Sequence, residues 1–185
     1  MKWDKFTSMI APSIKLIGWE KVVKILDDVG KKTEDFSPAF EEISKDFYTG
    51  MEGHFAAGGY TPWKPLSEAY ASWKERVAPG QPLMVLSGAM KASLTSSTAT
   101  GAIKEVSPYR LRIGTAVTNK KGYGYPFAHN FGLGNNPVRK VIELPQGTAA
   151  KWVSIINSYA FSVITGSSSN WQSSMMSDYG FEEGF

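Results

Sequence analysis

The sequence contains no cysteine among its 185 residues. Disulfides, thiol nucleophiles and thiolate metal sites are therefore excluded, although this absence says little about the compartment. No apolar run reaches the roughly 18 residues of a membrane span. The N-terminal residues mix charged and apolar side chains and lack an apolar core with a small-residue cleavage site, so we expect no export by a signal peptide.

Sequence motifs of catalysis and metal binding are also missing. The two histidines, His54 and His129, are far apart and neither lies in a zinc-binding pattern. No nucleophile elbow, Walker loop or dinucleotide fingerprint is present. Adjacent carboxylates, such as those of Glu41 and Glu42, lie on helical or turn segments where solvated faces are the usual explanation. We therefore expect no catalytic residue, no metal, no cofactor and no enzyme activity.

Charge is distributed unevenly along the chain. Residues 1–100 carry 12 basic and 12 acidic side chains, whereas residues 101–140 carry seven basic side chains and one acidic one. The last twenty residues carry three acidic side chains and no basic one. The basic segment and the acidic tail could pair between subunits, the basic segment could bind nucleic acid, or both could be solvated surface. The candidate contacts in the basic segment are Arg110, Arg112, Lys120 and Lys121.

The spacing of apolar residues predicts both helices and strands. Helices are expected over 19–29, over 37–51 with Ser37 as its cap, after a Ser67 cap, around Leu86, Met90 and Leu94, and after a Thr148 cap. Period two predicts strands at 103–106 and 109–113, with Tyr109, Leu111 and Ile113 on one face. A third strand is expected at 138–144. The sequence thus predicts an α+β fold, a small antiparallel β-sheet flanked by N-terminal helices and a C-terminal helix.

The stretch 123–140, "YGYPFAHNFGLGNNPVRK", holds one of the two histidines. His129, Asn130 and the glycines can satisfy backbone groups in a tight corner, and Gly132 and Gly134 permit positive φ. Three aromatic side chains, those of Tyr125, Phe127 and Phe131, are expected to anchor this corner in the core. A ligand or catalytic role for His129 is the alternative to this structural one.

Three motifs follow one another in the central part of the chain. The first is "WKPLSEAYASWK" from Trp63, the second is "LMVLSGAMKASL" from Leu83, and the third is "YPFAHNFGLGNNPVRKVIEL", after a strand ending in "IGT". In this order they resemble the phage virion morphogenesis family, the tail-completion or head–tail joining proteins of tailed bacteriophages. The residues that carry the resemblance are Trp63, Pro65, Leu66, Leu83 or Leu86, Ser87, Gly88, Met90, Gly114, Tyr125, His129, Phe131, Gly132, Pro137 and Arg139.

The sequence departs from the family pattern in two places. Alanine directly precedes His129 instead of standing further back. Val138 and Lys140 stand where the family often has alanine and a second proline. The resemblance, which covers about residues 60–145, is thus to a divergent member of the family.

The resemblance implies a structural virion protein without catalysis. Copies would form a homo-oligomeric ring, a hexamer by analogy with tail symmetry, at the neck or the head-proximal end of the tail. Its partners would be neck, tail-tube or connector proteins, and genome DNA could pass through the ring. It would be made in the host cytoplasm and would have no membrane partner. The alternatives are a nucleic-acid-binding module that uses the basic 101–140 segment and, less supported, an enzyme.

The predicted domain organisation combines the motifs with the elements. We expect one α+β domain over 1–165, with a helical part over 1–58, the family-like core over 60–145 and a C-terminal helix over 148–164. Residues 166–185 form a serine-rich tail with scattered aromatic residues, which we expect to become ordered on a partner. The candidate contacts in this tail are Trp171, Tyr179 and Phe181.

Overall fold

The computed structural model describes residues 35–165. In that range the chain forms five helices and a two-stranded antiparallel sheet, so the predicted α+β class is confirmed. The predicted helix over 19–29 and the tail over 166–185 lie outside the described residues. In chain order the elements are α1 (Ser37–Ala56), α2 (Glu68–Val77), α3 (Ala89–Thr95), β1 (Ala102–Ser107), β2 (Arg110–Thr115), α4 (Tyr125–Phe131) and α5 (Thr148–Thr165).

Helix α1 follows the predicted apolar periodicity and extends five residues further. Ile43, Phe47, Met51 and Phe55, each four residues after the last, are all buried. The start of the helix differs from the prediction, because the Ser37 N–H donates to the carboxylate of Asp35 at 2.8 Å. Hydrogen bonds from the Ser37 side chain and backbone lower the pKa of Asp35.

The described residues divide into two compact units. The first contains Lys45–Lys104 and Arg112–Pro145, and the second contains residues 35–44, Glu105–Leu111 and residues 146–165. In the second unit the rings of Phe36 and Tyr159 meet edge to face with their centres 5.7 Å apart. The Tyr159 hydroxyl donates to the backbone carbonyl of Asp35 at 2.9 Å.

The sheet is a hairpin whose turn contains Pro108 and Tyr109. Both predicted strands are confirmed within a few residues. The prediction that Tyr109 shares a face with Leu111 and Ile113 is wrong, because Tyr109 lies in the turn with 66% of its surface exposed. A turn residue belongs to neither face of a sheet. The predicted second strand therefore begins one residue too early.

The predicted third strand over 138–144 is wrong. None of its residues belongs to a strand, and the backbone bends at Val141 and Ile142. The N–H groups of Val141 and Ile142 both donate to the side chain of Asn130, at 3.0 and 3.4 Å from its Oδ1. At these two residues a side chain thus takes the place of a neighbouring strand.

The predicted corner near His129 is a short helix, α4. Pro126 and Ala128 are its buried residues, whereas Phe127 is 37% and Phe131 50% exposed. The expectation that these two phenylalanines anchor the corner in the core is therefore wrong. Burial of the small residues brings the helix close to its neighbours and leaves the large rings outside.

Helix α4 ends at Gly132, which has the predicted positive φ of 67°. The N–H groups of Gly132 and Leu133 both donate to the carbonyl of Ala128, which is the hydrogen-bonding pattern of a left-handed helix end. A Cβ atom on Gly132 would lie 2.8 Å from the Val138 side chain and 3.2 Å from the Asn136 carbonyl oxygen. Glycine is therefore required here for two reasons, the left-handed backbone conformation and the close approach of Val138 and Asn136.

Gly132→Ala should lower the free energy of unfolding more than Gly134→Ala. Gly134 has nearly the same φ of 66°, but a Cβ atom there would have nothing within 4 Å, so it reports the left-handed conformation alone. That conformation costs an alanine roughly 1–2 kcal/mol, and Gly132→Ala adds the displacement of Val138. Urea unfolding of both variants measures the difference, and equal losses would contradict the steric role.

Candidate functional site

The motif that begins at Trp63 and the motif that contains Arg139 are in contact in the first unit. We call this meeting place the junction and define it as residues 60–66 and 137–143 together with His54. Trp63 is buried, and its indole N–H donates to the Lys140 carbonyl at 2.7 Å. The junction therefore joins segments that are separated by more than 70 positions in the sequence.

His54, on the buried stripe of α1, is the centre of the junction. Its Nε2 lies 2.9 Å from the Lys140 carbonyl, and its Nδ1 accepts the Tyr60 N–H at 3.1 Å. Because Nδ1 is an acceptor, the proton lies on Nε2 and the ring is neutral. Burial lowers the pKa of His54, while the Lys140 carbonyl and Glu143 act in the opposite direction.

Aromatic rings surround this imidazole. The ring centres of Trp63, Tyr60 and Phe55 lie 5.0, 5.2 and 6.0 Å from that of His54. Phe55 and Trp63 also meet edge to face at 5.5 Å. These rings exclude water from the imidazole, which is why protonation is disfavoured.

Arg139 holds the other side of the junction. Its side chain is 4% exposed, and its Nε and Nη2 donate to the carbonyls of Lys64 and Pro65 at 2.7 and 2.8 Å. Its backbone N–H donates to the carbonyl of His129 at 2.8 Å. Burial lowers the pKa of Arg139, and Tyr70 acts in the opposite direction. Arg139 therefore links residues 64–65, through its side chain, to His129, through its backbone.

Glu143 closes the junction at its exposed end. Its two carboxylate oxygens accept from the N–H and the hydroxyl of Thr61 at 2.7 and 2.6 Å. Lys140 Nζ lies 2.9 Å from the same carboxylate. Burial raises the pKa of Glu143, but the hydrogen bonds from Lys140 and Thr61 outweigh it and bring the pKa to about 2.

The structure places the remaining motif residues as follows. Leu66, Tyr125, His129, Gly132 and Pro137 are half-buried, Gly114 is buried within β2, and Gly88 immediately precedes α3. The Ser87 hydroxyl accepts the Ala89 N–H at 3.4 Å. Ser87, Gly88 and Gly114 are therefore not part of the junction. Gly114 directly precedes Thr115, whose hydroxyl forms a hydrogen bond of 2.7 Å with the hydroxyl of Ser93 on α3.

His129 contributes its backbone more than its ring. Its carbonyl accepts from Arg139, whereas its buried Nδ1 has no hydrogen-bond partner among the described residues. Burial lowers the pKa of His129, and Arg139 adds to that effect. A neutral ring fits this environment.

The predicted basic contacts are all exposed. Arg110 and Arg112 alternate with half-buried residues on β2. Lys120 and Lys121 lie in a tight turn, in which the Asn119 side chain accepts the N–H groups of Lys121 and Tyr123 at 2.9 and 3.0 Å. Trp171, Tyr179 and Phe181 lie outside the described residues.

Sequence reasoning missed the roles of two buried residues, His54 and Lys74. The sequence marks His54 only as a candidate metal ligand, although its place three residues after Met51 puts it on the buried stripe of α1. Lys74 is 7% exposed, and its Nζ donates to the carbonyls of Gln81 and Pro82 at 2.7 and 2.6 Å. No sequence signal distinguishes Lys74 from a surface lysine.

The polar groups of the junction bind backbone atoms and one another. Within residues 35–165, no three His, Asp or Glu side chains lie together in a way that could hold a metal ion. In the same range, no helix has both the length and the apolar character that crossing a bilayer requires. The junction therefore fixes the relative positions of two loop segments and of the end of helix α1 that carries His54.

No family model, curated protein or solved structure matches the chain. The family resemblance therefore stays a prediction from the motif residues.

Lowering the pH should destabilise the chain through His54. The unfolded chain protonates this imidazole near its ordinary pKa of 6.5, whereas the folded chain keeps it neutral to lower pH. The free energy of unfolding is therefore full above pH 6.5 and falls below it, by at most about 1.4 kcal/mol per pH unit for one group. His54→Gln should reduce this slope between about pH 7 and pH 5, as measured by urea unfolding.

His129 is the matched control, because burial lowers its pKa too. His129→Gln should remove the contribution of His129 to the pH dependence of the free energy of unfolding and leave the contribution of His54. An unchanged slope in His54→Gln would contradict the neutral, buried state of His54.

Arg139→Lys should be destabilising although it keeps the charge. Lysine lacks the planar fork that reaches the Lys64 and Pro65 carbonyls together, so at least one charged hydrogen bond is lost. Such a bond contributes about 1.5–3 kcal/mol. Arg110→Lys, at an exposed position, should change the free energy of unfolding by less than about 0.5 kcal/mol. Equal effects of the two substitutions in urea unfolding would contradict the role of Arg139.

Proposed function

We propose that the chain is a structural virion protein of a tailed bacteriophage. In this proposal, copies assemble into a homo-oligomeric ring at the neck or the head-proximal end of the tail, as a tail-completion, tail-terminator or head–tail joining protein. Its place is the virion, and its partners are copies of itself and the neighbouring neck, connector or tail-tube proteins. It works by shape and association and is not an enzyme.

One observation carries the proposal. The tryptophan–proline motif and the proline–arginine motif, which define the resemblance, are joined directly by the contacts of Arg139 with Lys64 and Pro65. The Trp63 indole strengthens the same connection through Lys140. Residues that a family pattern keeps together have a physical reason to occur together when they form one hydrogen-bonded unit. This convergence supports the resemblance and, through it, the function.

The chemistry of the junction agrees with a scaffolding role. The His54 imidazole, the Arg139 guanidinium and the Glu143 carboxylate are each engaged with backbone atoms. Groups that are held in this way position loops, and loops with fixed positions can present a reproducible surface to a neighbouring subunit.

Nucleic-acid binding is the second candidate, and the exposure of the basic side chains favours it. Arg110, Arg112, Lys120 and Lys121 are all exposed, and residues 106–142 contain no acidic residue. Each of these side chains could contact a phosphate group. In a ring, the same side chains could face genome DNA in the channel, so the two candidates are compatible.

Quantitative mass spectrometry of the purified particles of the encoding phage tests the proposal. We expect the chain in the particle at the copy number of a single ring relative to the portal protein. Negative-stain images of the purified full chain should show closed rings. Absence from the particle would refute the proposal, and a salt-sensitive affinity for DNA without self-association would favour the second candidate.

A further inference from the structure

The turn over residues 57–63 packs on the buried imidazole of His54. The Tyr60 N–H donates to His54 Nδ1 at 3.1 Å, and the ring centres of Tyr60 and Trp63 lie 5.2 and 5.0 Å from that of His54. The Trp63 N–H donates to the Gly58 carbonyl at 3.1 Å, so Tyr60 and Trp63 belong to one closed turn. We call residues 57–63 the flap.

The flap lies between two ends that do not depend on His54. After α1 ends, Gly58 and Gly59 follow with positive φ angles of 73° and 96°. Beyond the flap, the Arg139 guanidinium binds the carbonyls of Lys64 and Pro65, and this group stays charged at neutral and acidic pH. The residues between the two glycines and this clamp can therefore move while α1 and Arg139 stay in place.

Protonation of His54 is incompatible with a closed flap. The lone pair of Nδ1 accepts the Tyr60 N–H, and the same lone pair must take the second proton of an imidazolium. Two N–H groups would then face each other across 3.1 Å, and a hydrogen bond would become a repulsive contact. The fully buried ring would also hold a charge without hydration. The chain can therefore have a closed flap or a charged His54, but not both.

The other charged groups at the flap do not change between pH 7 and pH 5. Burial lowers the pKa of His54, and the Glu143 carboxylate acts in the opposite direction. The pKa of Glu143 is about 2, so it keeps its charge, and Lys140 Nζ binds it at 2.9 Å. The residues one turn before and after His54 in the chain are uncharged. In this range, His54 is therefore the group at the flap whose charge changes.

We propose that the flap is an acid-sensitive latch, which opens when His54 is protonated while the rest of the first unit stays folded. Because Trp63 belongs to the same turn as Tyr60, its indole leaves the Lys140 carbonyl as the flap opens. The Arg139 clamp remains. Opening takes up one proton below the ordinary histidine pKa of 6.5, so the open population should rise up to about tenfold per pH unit. This latch does not depend on the proposed virion role.

Native-state amide hydrogen exchange, followed by NMR on the full chain, tests the latch. At low urea concentrations the protection factors of Tyr60 and Trp63 should be lower than that of the buried Leu94 and nearly independent of urea, because opening exposes little surface. They should fall by up to about tenfold from pH 6 to pH 5. The Arg139 amide, which is bonded to the His129 carbonyl, should stay more protected than the flap.

His54→Gln should make the protection factors of Tyr60 and Trp63 independent of pH in this range, because an amide side chain does not titrate. His129→Gln is the matched control, because the contact of His129 with Arg139 uses its carbonyl and not its ring. It should retain the pH dependence at the flap.

The wild-type chain provides a second measurement that needs no variant. Imidazole ¹⁵N shifts should show the neutral ring of His54 with its proton on Nε2 at pH 7. The protonation of this ring should then follow the same pH dependence as the loss of Tyr60 protection.

Three results would overturn the latch. The first is equal protection and equal urea dependence at Tyr60 and Leu94, which would mean that the flap opens only when the unit unfolds. The second is protection at the flap that does not change from pH 6 to pH 5, and the third is a pH dependence that persists in His54→Gln. None of them concerns rings or particles, so each would leave the proposed function standing.

Discussion

The structure of the first unit depends on the buried guanidinium of Arg139. A buried charge is costly unless it is hydrogen-bonded, and here the acceptors are the carbonyls of Lys64 and Pro65. Backbone carbonyls cannot rotate away as a side chain can. The loop before α2 and the segment before Lys140 must therefore move together or leave the charge without its partners.

The Lys140 carbonyl extends the same constraint to α1. It lies within hydrogen-bonding distance of both the Trp63 indole N–H and His54 Nε2. A carbonyl has two lone pairs, so one oxygen can satisfy both donors. The helix that carries His54, the loop that carries Trp63 and the motif that carries Arg139 thus share one polar network. Networks of this kind specify a single arrangement because each member would be unsatisfied in another.

The contacts of Arg139 also help to explain how α2 can keep the apolar side chains of Tyr70, Trp73 and Val77 exposed to water. A helix normally obtains its stability by burying such a face. In this chain polar contacts hold α2 at both ends. Arg139 binds the carbonyls of Lys64 and Pro65 before the helix. Lys74, within the helix, binds the carbonyls of Gln81 and Pro82 after it.

The sequence predicted most elements because their signals are local. The apolar stripe from Ile43 to Met51 and the hairpin strands follow from periodicity alone. The segment from Val138 to Leu144 has the composition of a strand, but it does not pair, and the Asn130 side chain accepts the N–H groups of Val141 and Ile142.

The candidate site shows the same limit. The family resemblance named Trp63, Pro65 and Arg139 as motif residues, but spacing cannot show that a guanidinium joins their segments. His54 lies on a predictable stripe, yet its neutral state depends on the Tyr60 N–H and on rings from a distant loop. Such contacts between residues far apart in sequence have no local pattern.

Our proposal that the chain is a ring-forming virion protein of a tailed phage is tested most directly by a cryo-electron microscopy reconstruction of the neck and upper tail of that phage. We predict a closed ring of identical subunits, each with Arg139 on the carbonyls of Lys64 and Pro65. A reconstruction in which every neck and tail density is accounted for by other proteins would contradict it.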